Sequence, residues 1–265
     1  MRTPIPTLLL LVPLFTFAQA PMTDTTTART SRLTVEIWSD VVCPFCYIGK
    51  REFENALARF PHKDNVLVEW KSFELDPNAP ATSDENTYSM LARKYGMSLD
   101  DAKARVAGVA EHASSVGLEF NFERTVIANS FHAHRLIQLA KTKGLGDAAE
   151  ERLFKAYFTE GANIGDTATL VRLATEIGLD ANEVRNMLDG EAFGEAVRTE
   201  EYEAQQFGIR GVPFFTIDRK YGISGAQSAD HFLGALEQAW KERPILEAEE
   251  GAVCEPGKAD CLPGE

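Results

Sequence analysis

Trp38-Ser39-Asp40-Val41-Val42-Cys43-Pro44-Phe45-Cys46-Tyr47 is the stretch on which the reading of this chain turns. The residues leading into it, Leu33-Thr34-Val35-Glu36-Ile37-Trp38, are β-branched and aromatic enough to form a buried strand. Beyond it Phe53, Ala56, Leu57 and Phe60 recur at helical spacing, the apolar stripe of an amphipathic helix. Two cysteines separated by two residues, set between a strand and a helix, point to thiol–disulfide exchange rather than to a metal.

The placement has a physical rationale. Cys43 falls at or beside the helix N-terminus, where unpaired backbone N–H groups and the helix dipole favour an anion. The thiolate is the nucleophile, so the position suits a reactive cysteine. Pro44 falls at the first helical position, where its missing N–H is no loss. Cys46 lies one turn further in, close enough for a disulfide and less exposed, as a resolving thiol requires. The competing reading is half of a four-cysteine zinc site. The other two cysteines, Cys254 and Cys261, are distant and lie in a tail without periodicity.

At 265 residues the chain is long enough for one large domain or two small ones. Its net charge of −13 speaks against nucleic acid or an anionic membrane as partner. Residues 1–20 have the pattern of a secretory signal: Arg2, an apolar segment from Leu8 to Phe17, then Ala18-Gln19-Ala20. On that reading the protein is exported, to the periplasm in a bacterium. Pro21 fits a cleavage point poorly, and Met22 as the true start would leave a cytoplasmic protein. Residues 21–32 read as a polar linker.

Val66 to Phe73 reads as a second strand, so strand, helix and strand form a βαβ unit with parallel strands and a right-handed crossover. From 82 to 205 the texture is helical, and we expect an insertion of about five helices. Ser98, Asp166 and Asp180 are N-cap candidates, Asp180 with Glu183 as a capping box. Strand character returns at Gly211 to Ile217 and Tyr221 to Gly225, joined by the turn Asp218-Arg219-Lys220. Ser228 opens a last helix with Phe232, Ala235, Leu236 and Ala239 inward. The assembly is α/β: a thioredoxin-like domain from 33–81 and 206–241, interrupted by an all-helical insertion. Residues 242–265 form an acidic tail. Pro213, at a strand start, is a candidate cis proline whose loop would face the cysteines; an ordinary trans proline opening an edge strand is the alternative. Val212 would then offer backbone groups to an extended substrate.

Ser39 to Lys50, Leu153 to Gly161, Gly211 to Phe215 and Tyr221 to Gln227 resemble the FrnE branch of the DsbA family, in order and with matching spacing from about 33 to 241. The resemblance implies protein-disulfide oxidoreductase or isomerase activity and a cis Val212–Pro213 bond. DsbA itself has histidine where this chain has Phe45, so its strongly oxidising character is not carried over. FrnE-like proteins can carry a second cysteine pair near the C-terminus. Cys254 and Cys261 resemble it, with a wider spacing, as a relay to the first pair, a small disulfide loop or idle thiols.

His132 and His134 lie two residues apart on a helix and do not share a face, which argues against a joint metal site. The segment Asn129 to Arg135 also resembles a family motif. It makes His134 and Arg135 candidates to line a substrate groove, with a hydrogen-bonded structural histidine as the alternative. Asp40 is either a modulator of thiol protonation or a turn former. Cys43 is thus expected as nucleophile, Cys46 as resolving thiol, Pro44, Phe45 and Val212 as substrate contacts, and thiol- or disulfide-containing proteins as partners. No cofactor or metal is required. Two rivals remain: a glutathione-linked enzyme resembling kappa glutathione transferases or hydroxychromene-carboxylate isomerases, and the zinc module. The intact dithiol argues against the first.

Overall fold

The computed structural model describes residues 32–243. The signal-like segment, Met22, Cys254 and Cys261 lie outside the described residues. In chain order the elements are β1 (Leu33–Ser39), α1 (Pro44–Arg59), β2 (Val66–Ser72), α2 (Thr87–Tyr95), α3 (Leu99–Ser115), α4 (Phe131–Thr142) and α5 (Gly146–Phe154). A π-helical segment (Lys155–Glu160) continues α5. Then follow α6 (Thr167–Glu176), α7 (Ala181–Asp189), α8 (Gly194–Gln206), β3 (Phe214–Ile217), β4 (Tyr221–Ser224) and α9 (Ala229–Lys241).

The sheet has the order β2-β1-β3-β4. β1 pairs parallel with β2, Leu33 opposite Val66 through Ser39 opposite Ser72. It pairs antiparallel with β3, which turns back into β4. The alternation of β1 sets the layers. Leu33, Val35 and Ile37 are buried with Phe53, Ala56 and Phe60 of α1 and with Phe232, Leu236 and Ala239 of α9. Trp38, on the opposite face, packs with Ala204 and Ile209, and its indole N–H donates to Glu200 O at 3.0 Å.

The chain between β2 and β3 is helix and loop, with seven α-helices among the described residues. Their core, from Leu136 and Leu153 to Leu170 and Val184, is continuous with Cys43, Cys46, Tyr47 and Ile48. Aromatic contact reinforces that junction: Tyr47 stacks on Phe154 at 4.8 Å between ring centroids. Seven helices rather than about five reflects α2 and α8, whose apolar stripes are weak. α2 buries only Thr87, and α8 only Val197, Glu200 and Ala204.

The N-caps follow from residue chemistry. Ser98 accepts from Asp101 N–H, Asp166 from Thr169 N–H, and Asp180 from Asn182 and Glu183 N–H. The capping box at Asp180 is one-sided, because the Glu183 carboxylate pairs instead with Lys143 at 2.9 Å.

Candidate active site

Cys43 is the N-cap of α1, in an extended conformation, with Pro44 at the start of the helix. Its N–H donates to Asp40 O at 2.9 Å, and its carbonyl accepts from Cys46 N–H at 3.1 Å. Both cysteines are free thiols, Cys43 4 % and Cys46 1 % exposed. Burial pushes the Cys46 thiol well up, and the neighbouring Cys43 adds to it. The Asp40 backbone and the Ser39 hydroxyl act the other way.

The Val212–Pro213 peptide is cis and lies against this helix start. Cys43 Sγ donates to Val212 O at 3.6 Å, joining residues 169 positions apart. Close approach here depends on Gly49: a Cβ on it would stand 3.0 Å from Pro213 Cγ and 3.4 Å from Phe215. Gly225 N–H donates to Pro213 O at 2.8 Å, fixing the loop from its other side. Around the thiol, Val42, Pro44 and Val212 are half-buried and Phe45 is 43 % exposed. The arrangement presents a buried dithiol at a helix N-terminus, one backbone carbonyl at its mouth and an apolar rim.

Asp40 is buried beneath the motif and accepts from Leu75 N–H at 2.7 Å and Val42 N–H at 3.3 Å. The groove position read for His134 and Arg135 is corrected. His134 is fully buried, its Nε2 3.4 Å from Asp40 Oδ1, so its side chain lines no open groove. Arg135 is also buried, donating to Ala192 O at 2.8 Å and Gly190 O at 2.6 Å, where it satisfies carbonyls at the end of α7. His132 instead contacts Arg135 at 3.0 Å. Among the described residues no group of three or more His, Cys, Asp or Glu is arranged to hold a metal ion.

Glu150 is a buried carboxylate beside Asp40 and His134. It is 1 % exposed and faces His134, Lys50 and Asp40. The signal was present: in α5, Gly146, Ala149, Glu150 and Leu153 share the buried stripe, and a carboxylate on that stripe is anomalous.

The DsbA-like thioredoxin domain family matches residues 34–237. The chain belongs to the DsbA family. Among solved structures, a probable DsbA oxidoreductase from Streptomyces coelicolor is 42% identical, with a TM-score of 0.79, covering 88% of this chain and 100% of its own. The Bacillus subtilis protein YwbO, itself uncharacterized, is 30% identical over 218 residues, 79% of this chain and 98% of its own length. The cytosolic disulfide reductase DsbM from Pseudomonas aeruginosa is 18% identical, with a TM-score of 0.54, covering 78% of this chain and 98% of its own, and shares the fold. This DsbA-family chain therefore stands among thioredoxin-fold oxidoreductases.

Proposed function

We propose that the protein exchanges disulfides with polypeptide substrates through Cys43 and Cys46, as a disulfide oxidase or isomerase of the FrnE-like branch. The observation that supports it best is the placement of Cys43: N-cap of α1, with its Sγ 3.6 Å from Val212 O. An extended substrate running past that carbonyl can pair with the Val212 backbone while its sulfur meets Cys43. Phe45 and the half-buried Val42 offer apolar contact beside it.

In oxidation a substrate thiolate attacks Cys43 Sγ of the disulfide, and Cys46 leaves and is protonated. A second substrate thiol then breaks the mixed disulfide, leaving the dithiol. In reduction or isomerisation Cys43 attacks a substrate disulfide, and Cys46 attacks Cys43 Sγ to release the substrate. The buried position of Cys46 and its raised thiol suit this second, intramolecular role, since such a thiol reacts with its neighbour and not with bulk solute.

The test is insulin reduction and reactivation of a scrambled disulfide substrate. Cys43→Ser is expected to fall to the uncatalysed background in both, whereas Cys46→Ser accumulates substrate mixed disulfides on Cys43. Full activity in Cys43→Ser sinks the assignment. Tight glutathione binding by Cys46→Ser without protein mixed disulfides would move it to the glutathione-linked class.

A further inference from the structure

At the end of β1 two hydrogen-bond donors converge on the resolving thiol. Strand alternation puts Ser39 on the face shared by Leu33, Val35 and Ile37, the face that α1 covers. On α1, Cys46 heads the buried stripe that continues through Lys50, Phe53 and Ala56. Strand packed on helix therefore makes Ser39 a neighbour of Cys46. Ser39 is fully enclosed, and in the dithiol form its hydroxyl makes no hydrogen bond of ordinary geometry. It nevertheless bears on the Cys46 thiol, as does the Asp40 backbone N–H. Buried polar groups are ordinarily satisfied, so a hydroxyl left in this way calls for a reason.

Both donors are fixed through their main chain. Ser39 is paired in register with Ser72, and its carbonyl accepts from Phe73 N–H at 3.1 Å. The Asp40 carbonyl accepts from Cys43 N–H at 2.9 Å, and its carboxylate from Leu75 N–H at 2.7 Å and Val42 N–H at 3.3 Å. Donors held in this way need no rearrangement when charge arrives. Cys43 faces the Cys46 sulfur from the start of α1, and Ser39 and Asp40 face it from the end of β1. Burial raises the Cys46 thiol and Cys43 adds to it, while the two donors oppose both. A charge on so enclosed a sulfur is costly unless hydrogen bonds meet it.

We propose that the Ser39 hydroxyl and the Asp40 N–H form a thiolate-binding pair that stabilises Cys46 Sγ as it leaves the opening disulfide. This rests on the exchange reading of the Cys43–Cys46 pair. When a substrate thiolate attacks Cys43 Sγ, a bond forms between those two sulfurs. The Cys43–Cys46 bond breaks, and its electron pair leaves on Cys46 Sγ. The substrate sulfur is oxidised and Cys46 is reduced, so the negative charge passes from one to the other. Ser39 and Asp40 donate hydrogen bonds to that charge and keep their protons; water then supplies the proton that neutralises Cys46. The hydroxyl without a partner in the dithiol form acquires one as the thiolate forms. A stabilised leaving thiolate departs faster, so the pair acts on the opening step itself.

Rapid-quench opening of the diamide-oxidised protein by excess dithiothreitol tests this, with the free thiols trapped and located by mass spectrometry. Ser39→Ala is expected to open about tenfold more slowly than wild type, the loss of one hydrogen bond to a charged group. In a Cys43→Ser background, Ser39→Ala is expected to move the Cys46 midpoint upward, read as alkylation of Cys46 against pH. In a Cys46→Ser background the alkylation of Cys43 is expected to stay unchanged, which a general loosening of the site would not allow. Ser39→Thr and Ser39→Val are alike in shape and differ in the hydroxyl, so they repeat the comparison where alanine disturbs the fold. The threonine variant is expected to open about tenfold faster than the valine variant. Opening that is equally fast with and without the hydroxyl overturns the proposal, as does a change at Cys43 as large as that at Cys46. If diamide forms no Cys43–Cys46 bond, the exchange reading itself fails and this pair falls with it. If the bond forms and its opening ignores the hydroxyl, only this proposal is lost.

Discussion

Replacing Gly49 by alanine sets two effects against each other at one atom. Inside α1 the change favours helix by about 1 kcal/mol. The added methyl, however, would lie 3.0 Å from Pro213 Cγ with Phe215 and Ala226 close behind it. Overpacking of this kind costs about 1 to 3 kcal/mol. Gly49→Ala is therefore expected to be about 1 kcal/mol less stable in urea titration, and slower in exchange because the Val212 carbonyl is displaced from Cys43. Glu150 gives a second prediction at this scale. Its carboxyl titrates at about 8 in the folded chain against an ordinary value of 4.5. Between those limits the folded state holds a proton that the unfolded state has lost, so wild-type stability falls as pH rises through that window. Glu150→Gln carries no such proton and is expected to gain on the wild type progressively from about pH 5 to about pH 8, read by denaturation at each pH. The cysteines were legible because their chemistry is written in local spacing. For Glu150 only the burial was legible, in the stripe of α5; its neighbours Lys50, His134 and Asp40 come from three separate segments.

The β3–β4 hairpin shows a similar contest between backbone and side chain. Lys220 N–H closes the turn on Ile217 O at 3.0 Å, with Asp218 and Arg219 both at positive φ. Glycine is the ordinary occupant of such a position, and a non-glycine residue there costs about 1 to 2 kcal/mol. The side chains explain the exception. Asp218 Oδ1 accepts from Thr34 N–H at 2.7 Å, and Arg219 reaches buried Glu36 with a two-pronged pair at 2.6 and 2.8 Å. Burial alone would raise the Glu36 carboxyl, but Arg219 and Lys71 outweigh it and hold it below its ordinary value. Stability from this pair is thus present above the ordinary carboxylate range and is lost as pH falls through the lowered Glu36 value. Arg219→Gly is expected to be about 1 kcal/mol less stable than wild type at neutral pH, losing charged hydrogen bonds while relieving the turn. At acid pH, with Glu36 protonated, the order reverses and the glycine variant melts higher. Strands and caps were readable because turn chemistry and alternation are local. The extent of α8 was not, because that helix is held by polar contacts made across the sheet.

Glu200 is the centre of those contacts and ties the insertion to the sheet. Its carboxylate accepts from Ser72 N–H on the edge strand β2 at 2.6 Å, and also from Gln138 and Lys141 of α4. Its backbone carbonyl takes the Trp38 indole. Glu200→Ala leaves the buried edge N–H of Ser72 without its acceptor and takes one acceptor each from Gln138 and Lys141, which keep Ser72 Oγ and Trp70 O. Breaking such a buried, paired carboxylate costs about 3 to 5 kcal/mol. For a unit of this size the melting midpoint drops by roughly 10 °C, measured by calorimetry on the whole chain. A drop below about 2 °C would mean that the insertion is held chiefly by its apolar core.

The 169-residue separation between Cys43 and the Val212 carbonyl also has a consequence for biosynthesis. A ribosome adding roughly 5 to 20 residues each second delivers the second partner about ten to thirty seconds after the first. During that interval the nascent dithiol lacks its carbonyl neighbour, and for most of it α8 as well. The geometry on which the proposed exchange relies is complete only once Val212 has been added.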